Sequence, residues 1–303
     1  MASLSDRGFI PQLSPYHYLP SKAAGFAIIV LFVLSTLAHA GVALYRRLWW
    51  ILPTIVLCGI LEILGWAARL WSSYEPYEIT PFTVQITATV LGPTPFLAAV
   101  FIMFGEVIKQ LGSAYSRLTP KYYAIIFCSC DVVSLLIQGA GGGIASSAAN
   151  GNRDPTVGGN IMLAGIIFQL LVIFVFVLCC IEYFVRYFSS RPLRVYDHGS
   201  TMDTQRNEFT TDLKIMVSGL AFTTLVLFIR AIYRTIELAD GWTGRIIRTE
   251  IYFIVLDAIM IVVGMYTMNI VHPGRFLYSP STAPKQSGSS ETVADNFQMN
   301  LIK

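Results

Sequence analysis

Seven long apolar stretches constrain most strongly how this chain can fold. A bilayer core of about 30 Å needs roughly 20 apolar residues to cross it as a helix. Stretches of that length occupy positions 23–45, 49–71, 84–108, 122–144, 159–184, 213–236 and 249–271. With 54% hydrophobic and 13% charged residues, the chain is too apolar for a soluble globular protein. Because open sheets leave backbone groups unpaired in lipid, the sequence predicts an all-α, polytopic membrane protein with a bundle of seven transmembrane helices.

The distribution of basic residues predicts which helix ends face the cytosol. With the N-terminus outside, thirteen Lys and Arg residues fall on the inner side and five on the outer side. Cytosolic loops carry the excess positive charge, so we expect the N-terminus outside and the C-terminus inside. The predicted organisation is an extracellular segment 1–22, a seven-helix domain 23–271 and a cytosolic tail 272–303. The polar loop 187–212 is expected in the cytosol, and the Ser- and Pro-rich tail is typical of disorder.

Several classes of function lack the residues they would need. The segments between the spans are too short for a soluble catalytic domain, and the sequence contains no nucleotide-binding P-loop. All five cysteines lie within predicted helices, and His39 is the one histidine well inside a span. A membrane-embedded zinc hydrolase needs several histidines, so we expect no enzyme activity, no metal and no cofactor. The net charge of +3 follows from the orientation and does not indicate nucleic-acid binding.

Polar residues recur at seven-residue intervals in four of the predicted helices. The pairs are Glu62 and Arg69, Asp131 and Gln138, Arg230 and Glu237, and Glu250 and Asp257. Seven residues make two helical turns, about 10.5 Å along one face. We therefore expect these stripes to face the interior and to converge on one ionic and amide network that lines a cavity. The candidate network or substrate-binding residues are Glu62, Arg69, Gln85, Asp131, Gln138, Gln169, Arg230, Arg234, Glu237, Glu250 and Asp257.

The charges in this set do not balance. A charge at the centre of a membrane helix costs roughly 2.5 to 3.5 kcal/mol, so such groups need partners or water. Five of the candidates are carboxylates and three are arginines. The excess predicts a cationic headgroup or amine as the ligand, or a role in proton coupling for Glu62 and Asp131, the deepest carboxylates. For any single residue, the alternative is that it only sets helix register or, for Arg230 and Arg234, reaches the interface.

Two predicted spans contain residues that affect helix geometry: prolines that bend a helix, and glycines that allow another helix to come close. Pro93 and Pro95 lie within the third span, where each removes a backbone hydrogen bond and bends the helix. Gly139, Gly141 and the two glycines that follow lie near the end of the fourth span. They are expected either to allow close helix contact or to frame the mouth of a cavity.

The same segments resemble a known family. The chain is similar to the fungal lipid-translocating exporter family of RTA-like seven-span proteins, from about position 16 to 274. The matching motifs are YHYLPS at 16–21, EILGWAAR at 62–69, LGPTPFLAAVF at 91–101, DVVSLLIQGAGGG at 131–143, GNIMLAGIIFQ at 159–169, RAIYRTIELADGWTG at 230–244 and HPG at 272–274. The resemblance implies a multi-pass protein, most readily of the plasma membrane, whose partners are membrane lipids and an amphipathic, cationic small molecule such as a sphingoid long-chain base.

Three functions remain compatible with these features. The first is a transporter or translocator of amphipathic lipid-like molecules, or a regulator of their translocation, which confers resistance to lipophilic toxins. The second is a seven-helix receptor or sensor of lipid stress, which shares the topology but moves nothing. The third is export of a fungal secondary metabolite or a xenobiotic. The sequence leaves the oligomeric state open.

Overall fold

A computed structural model describes residues 10–151, 153–193, 209–241 and 244–277. The regular secondary structure of this part of the chain is helical, without a strand, and it includes seven helical segments long and apolar enough to cross a membrane. Those segments are Lys22–Arg46, Trp49–Ser72, Ile79–Leu111, Pro120–Ala148, Thr156–Phe188, Thr211–Ala239 and Glu250–Phe276. The prediction of a seven-helix, all-α membrane protein is confirmed.

The first five α-helices build the first four spans. A 3₁₀ turn at Trp49–Ile51 and a π turn at Leu52–Val56 precede α2 and complete its span. The bounds are α1 Lys22–Tyr45, α2 Leu57–Ser72, α3 Ile79–Leu91, α4 Pro93–Leu111 and α5 Pro120–Asn150.

The remaining α-helices build the last three spans. A π turn at Ile254–Ala258 connects α8 to α9 within the seventh span. The bounds are α6 Thr156–Phe188, α7 Thr211–Ala239, α8 Glu250–Phe253, α9 Ile259–Ile270 and α10 Pro273–Phe276.

The spans pack in sequence order and the last closes against the first. Each span contacts the next one along the chain, α9 contacts both α7 and α1, and α4 also packs against α7. The alternating chain direction defines two ends of the bundle. We name them the Arg69 end, where α2 finishes and α8 begins, and the Arg186 end, where α6 finishes and α7 begins. Which end faces the cytosol stays a prediction.

The third span is interrupted at its centre, as its prolines predict. Gly92 separates α3 from α4, and Pro93 is the first residue of α4. A proline has no N–H to donate to the carbonyl four residues earlier, so Thr89 is left with a free backbone oxygen. This span begins at Ile79, earlier than the predicted position 84, because Pro81 is tolerated in a first helical turn.

Glycines bring α5 and α6 together. A side-chain carbon added at Gly141 would lie 2.4 Å from the backbone nitrogen of Met162, and one at Gly158 would lie 2.2 Å from that of Ala145. Close helix contact is therefore the role of Gly141. Gly139, in contrast, has nothing within 4 Å of such an added carbon.

The Arg186 end is packed with aromatic rings. Phe104 meets Tyr123, Phe176 and Tyr183 edge to face, with ring centroids 5.2, 5.4 and 5.8 Å away. Edge-to-face contact matches the positive ring edge with the negative face. These residues belong to α4, α5 and α6, so this apolar cluster fixes how the three helices pack.

Parts of the predicted termini and loop lie outside the described residues. They are positions 1–9 of the N-terminal segment, 194–208 of the loop at 187–212, and 278–303 of the tail. The division into an extracellular segment, a seven-helix domain and a cytosolic tail stays a prediction.

Candidate functional site

Arg234 is the centre of the largest group of buried charges. Its Nε and Nη2 atoms donate to the two carboxylate oxygens of Asp257, each at 2.7 Å. Nη1 donates to Glu237 at 2.9 Å, and Nη2 also donates to the Thr89 hydroxyl at 2.9 Å. Glu237 in turn accepts a hydrogen bond from Tyr233 at 2.8 Å. Bidentate pairing between an arginine and a carboxylate is stronger and more specific in geometry than a single hydrogen bond, so this group is held in one arrangement.

Arg230 links this group to the break in the third span. Its Nη2 donates to the backbone oxygen of Thr89 at 2.6 Å, the same oxygen that Pro93 leaves free. Its Nε lies 2.8 Å from Asp257 Oδ1. The proline therefore creates an acceptor inside the membrane and an arginine from α7 occupies it, so α7 is tied to the centre of the third span.

The position of Asp257 depends on a local irregularity of its helix. It lies in the π turn Ile254–Ala258, and its side chain has 0% exposure. A π turn inserts one residue into the helical repeat and turns the following side chains around the axis. The seven-residue spacing predicted the interior face for Asp257, but the π turn has no signature in that spacing.

A second group surrounds Arg69 at the Arg69 end. Its Nη2 donates to Glu250 at 3.0 Å and to the Tyr18 hydroxyl at 2.7 Å. The guanidinium carbon lies between 4.8 and 5.6 Å from the ring centroids of Tyr16, Tyr18, Trp66 and Phe253. Aromatic faces attract a cation electrostatically, so the rings stabilise Arg69 beyond its ion pair.

The segment before α1 covers this group. Tyr16 is 3% exposed and donates to the side-chain oxygen of Gln85 at 2.7 Å, while Ser72 Oγ lies 3.2 Å from the same hydroxyl. The backbone N–H of Ser21 donates to Glu250 at 2.9 Å. Burial raises the pKa of Tyr16 to about 12, although Arg69 nearby acts in the opposite direction. The segment is therefore packed as part of the bundle.

A third group joins α4, α5 and α6 near the middle of the bundle. Gln169 donates from Nε2 to Asp131 Oδ1 at 2.8 Å and to Thr94 at 3.2 Å. Gln138 donates to the Gln169 oxygen at 3.1 Å and to Ser134 at 2.6 Å. Among the residues that the structure describes, Asp131 Oδ2 and Gln138 Oε1 receive no hydrogen bond although both are buried. This group has spare acceptors.

Glu62 is the most isolated of the buried acids. Its exposure is 0%, and neither carboxylate oxygen has a hydrogen-bond partner in the described part of the chain. It points at the break in the third span, where a side-chain carbon added to Gly92 would lie 2.6 Å from Glu62 Oε1. Asp257, Arg230 and Arg234 lie close enough to act on its charge. Glycine at position 92 thus makes room for an acid without a direct partner.

The side-chain hydrogen bonds of the predicted residues fall into three groups, and a single functional network stays a prediction. The predicted residues are all inside the bundle or at its Arg69 end, and within the described ranges Glu62 lies outside the three groups above. The Thr89 hydroxyl connects the first two groups, since it donates to the backbone oxygen of Gln85 at 2.9 Å. Three arginines face Glu250, Asp257 and Glu237, which balances those charges one to one. The predicted excess of two acids therefore falls on Glu62 and Asp131.

Several residues of these groups were absent from the predicted set. Hydroxyl groups of Tyr16, Tyr18, Thr89, Thr94 and Tyr233 complete them. Tyr16 and Tyr18 belong to the first family motif, which was the available signal. Thr94 and Tyr233 likewise belong to the motifs at 91–101 and 230–244, whereas Thr89 lies outside the motifs and carried no signal, because uncharged hydroxyls are common in membrane helices.

The histidine and the cysteines take the packing roles that their positions predict. His39 donates from Nε2 to the backbone oxygen of Met265 on α9 at 3.1 Å. All five cysteines are free thiols, and Cys58 is fully buried. Within the described ranges no cluster of three or more His, Cys, Asp or Glu residues could hold a metal. The expected absence of a cofactor stays a prediction.

Comparison with known proteins places the chain in a family. The family model described as RTA1 like protein matches residues 55–279, which is most of the chain and contains most of the second span and all of the following five. The chain belongs to the RTA1-like family.

Three relatives from Saccharomyces cerevisiae illustrate this family's range. The sphingoid long-chain base transporter RSB1 is 27% identical over 291 residues, covering 88% of this chain and 75% of the relative. Protein RTM1 is 26% identical, covering 84% of this chain and 92% of the relative. Protoporphyrin uptake protein 1 is 24% identical, covering 85% and 90%. No solved structure matches the chain.

Proposed function

We propose that this protein moves an amphipathic, lipid-like cation across the plasma membrane, or controls that movement, and so confers resistance to lipophilic toxins. A sphingoid long-chain base is the substrate class that the relatives named as sphingoid long-chain base transporters suggest. Two of the three relatives are named for transport or uptake, which supports transport over catalysis. The proposal includes an extracellular N-terminus and a cytosolic Arg186 end, as the positive charges predict.

The observation that carries the proposal is the distribution of paired and unpaired acids. The arginines are matched by Glu237, Glu250 and Asp257, so those charges neutralise one another inside the bundle. Asp131 and Glu62 lie deeper and are without an ion-pair partner within 4 Å among the described residues. An ammonium group entering the membrane loses its hydration, and a buried carboxylate compensates that loss.

The driving force follows from what the sequence lacks and what the bundle contains. Without a nucleotide-binding P-loop, movement would run down a gradient or be coupled to protons. Asp131 and Glu62 are the groups that could exchange a proton for the substrate's charge, since neither is committed to an arginine in the described structure. Freed backbone beside such groups, as at Gly92 and Pro93, is where transporter helices bend.

A reconstituted flux assay tests the proposal. Purified protein in phosphatidylcholine liposomes is given radiolabelled sphingosine, and transfer between leaflets is followed with albumin as the acceptor. Wild type should accelerate transfer, and Asp131→Asn should lower the protein-dependent rate at least tenfold. Glu106→Gln is the matched control, because Glu106 pairs with Lys109 away from the three groups, and it should leave the rate unchanged.

Two outcomes would overturn direct movement of the substrate through a site that includes Asp131. One is an Asp131→Asn protein that transfers sphingosine as fast as wild type. The other is wild-type protein that gives no transfer in liposomes yet protects cells against added sphingosine, which would favour a receptor or sensor. Surface levels of each variant, measured in cells, ensure that lost resistance is not lost delivery.

A further inference from the structure

An apolar groove runs between α6 and α7 at the Arg186 end. Its volume is about 670 Å³, within the range of sites that hold small molecules. The described residues that line it include no charged side chain. Six that define its walls are Phe176, Cys180, Phe184, Phe188, Leu220 and Phe228.

The dimensions of the groove suit an alkyl chain. Its lining follows α6 from Phe176 to Ser189, about 20 Å of helix at 1.5 Å per residue. One hydrocarbon leaflet is about 15 Å thick, half of the bilayer core. A single chain that lies parallel to the helices would therefore remain in contact with the groove over the depth of a leaflet.

The end of the groove that lies nearer the middle of the bundle adjoins a polar gap. On α6, Ile173 lines the gap and lies one turn from Phe176; on α7, Leu227 lines the gap and is next to Phe228. The same gap is bordered by Gln138 and Gln169, and on its other side by the arginines of α7. The apolar groove and the polar gap thus follow one another along α6 and α7, with Ile173, Phe176 and Leu227 packed between them.

The wall of the polar gap on the α5 side contains buried hydrogen-bond acceptors without donors. Gln138 Oε1 borders the gap, and Asp131 Oδ2 lies behind Gln169; neither accepts a hydrogen bond from any residue that the structure describes. On the opposite wall, Arg230 and Arg234 are already engaged by Asp257 and Thr89. Buried acceptors without donors are costly, so a ligand rich in donors would stabilise this wall.

We propose that the groove between α6 and α7 holds the alkyl chain of a single-chain amphiphile whose protonated amine and hydroxyl groups donate to Asp131 and Gln138. An ammonium group supplies three N–H donors and no acceptor, which complements the unpaired oxygens. This inference rests on the proposed function, because it gives the position of that substrate class in the bundle. It adds a site for the alkyl chain, and none of the residues predicted from the sequence lines that site.

Photo-crosslinking locates the tail. The probe is sphingosine with a diazirine in the middle of its chain, added to purified protein in phosphatidylcholine vesicles, and labelled peptides are mapped by mass spectrometry. Label is expected on α6 between Phe176 and Ser189 and on α7 between Val217 and Phe228. An excess of unlabelled sphingosine should remove it, whereas palmitate, an anion with a similar chain, should compete at least tenfold less well.

A matched pair of substitutions tests the groove itself. Ala221→Trp places a large ring in the groove, whereas Ala164→Trp makes the same change on an exposed face of α6 outside it. Labelling should fall at least tenfold in the first variant and stay unchanged in the second. Ala221→Leu, a smaller obstruction, should give an intermediate loss, and size-exclusion profiles show whether each variant is folded.

The outcomes separate this inference from the proposed function. Labelling unchanged by Ala221→Trp, label on other helices, or equal competition by palmitate would overturn the tail site or its cationic end. If sphingosine flux then still depends on Asp131, the proposed function stands and only the groove is wrong. If the groove is labelled as expected but wild type gives no flux, the binding site stands and transport is wrong.

Discussion

Asp257 and Glu62 are two fully buried acids in one membrane bundle with opposite surroundings. Each has a side chain with 0% exposure. Asp257 accepts hydrogen bonds from Arg234 through both oxygens and lies 2.8 Å from Arg230, whereas Glu62 accepts none from the described residues. A buried charge with excellent partners can be structural, but one without partners is hard to explain by stability. The difference separates groups that hold the helices together from groups available to a ligand or a proton.

The helices prepare the two acids differently. Asp257 lies in a π turn that packs against α7, the helix that carries both of its arginines. Glu62 lies on a regular part of α2 and faces Gly92, where the third span is broken. Paired charges thus occur between the sixth and seventh spans, and the unpaired acid occurs beside the span that Gly92 and Pro93 interrupt. Motion of the third span would change the surroundings of Glu62 more than those of Asp257.

Removing Arg234 should cause the largest effect and test the structural side of this comparison. Arg234→Met leaves Asp257 and Glu237 buried with fewer partners, and breaking such a pair destabilises a protein by about 3 to 5 kcal/mol. Thermal unfolding of the purified protein in detergent should show a large drop in midpoint, with poor surface expression. Arg117→Met, which removes an exposed partner of Glu182, should leave the midpoint unchanged. A stable Arg234→Met protein would contradict the structural role.

Neutralising the two acids should give effects of different size. Asp257→Asn weakens a buried pairing with arginine and should destabilise the protein by roughly 3 kcal/mol. Glu62→Gln removes a charge without removing an ion pair within the described structure, so the midpoint should stay equal or rise. The two variants are compared in one detergent at one pH. Equal destabilisation would mean that Glu62 has a structural partner after all.

The sequence predicts the fold well because hydropathy acts over long stretches. All seven spans were predicted, and the break at Gly92 followed from Pro93. The interior position of the polar residues also followed, since a charge in lipid is costly wherever the neighbouring helices lie. What periodicity cannot supply is which arginine meets which acid, because that depends on how helices distant in sequence pack.

Three features of the site depend on tertiary packing that periodicity does not contain. The segment around Tyr16 packs against Arg69 and Gln85, at the end of the bundle that is predicted to be extracellular, because aromatic rings and hydroxyls can satisfy a polar helix end. The side-chain hydrogen bonds of the predicted residues divide into three groups because Glu237, Glu250 and Asp257 satisfy the arginines locally. The groove between α6 and α7 was not predicted, since its lining residues read as ordinary lipid-facing positions.

A substitution in the segment before α1, which covers Arg69, should lower stability less than a substitution in the buried ion pairs. Tyr16→Phe removes the donor to Gln85 and leaves a buried acceptor unpaired, which costs about 1 to 3 kcal/mol. Burial raises the pKa of Tyr16 from 10.0 to about 12, so the unfolded chain loses this proton first as the pH rises. Its contribution to stability is present below pH 10 and is lost between pH 10 and 12. A phenol absorbance titration of wild type against Tyr16→Phe should show a difference near pH 12; a difference near pH 10 would show that Tyr16 is exposed.

The ion pair between Arg69 and Glu250 should contribute least to the stability of the protein, because it lies at the periphery of the bundle and not at its centre. Glu250 is 22% exposed, and Arg69 also has the Tyr18 hydroxyl and four aromatic rings around it. Because partly exposed pairs contribute about 0 to 1 kcal/mol, Glu250→Gln should lower stability by less than about 1 kcal/mol. The loss should shrink as salt is raised, since water and ions reach this pair but not the Arg234 group. Unfolding midpoints of Glu250→Gln and Asp257→Asn, each measured against wild type at low and high salt, decide the point. A salt-independent loss as large as that of Asp257→Asn would mean that the Arg69 end is as closed as the centre, and that the boundary between structural and available charges lies elsewhere.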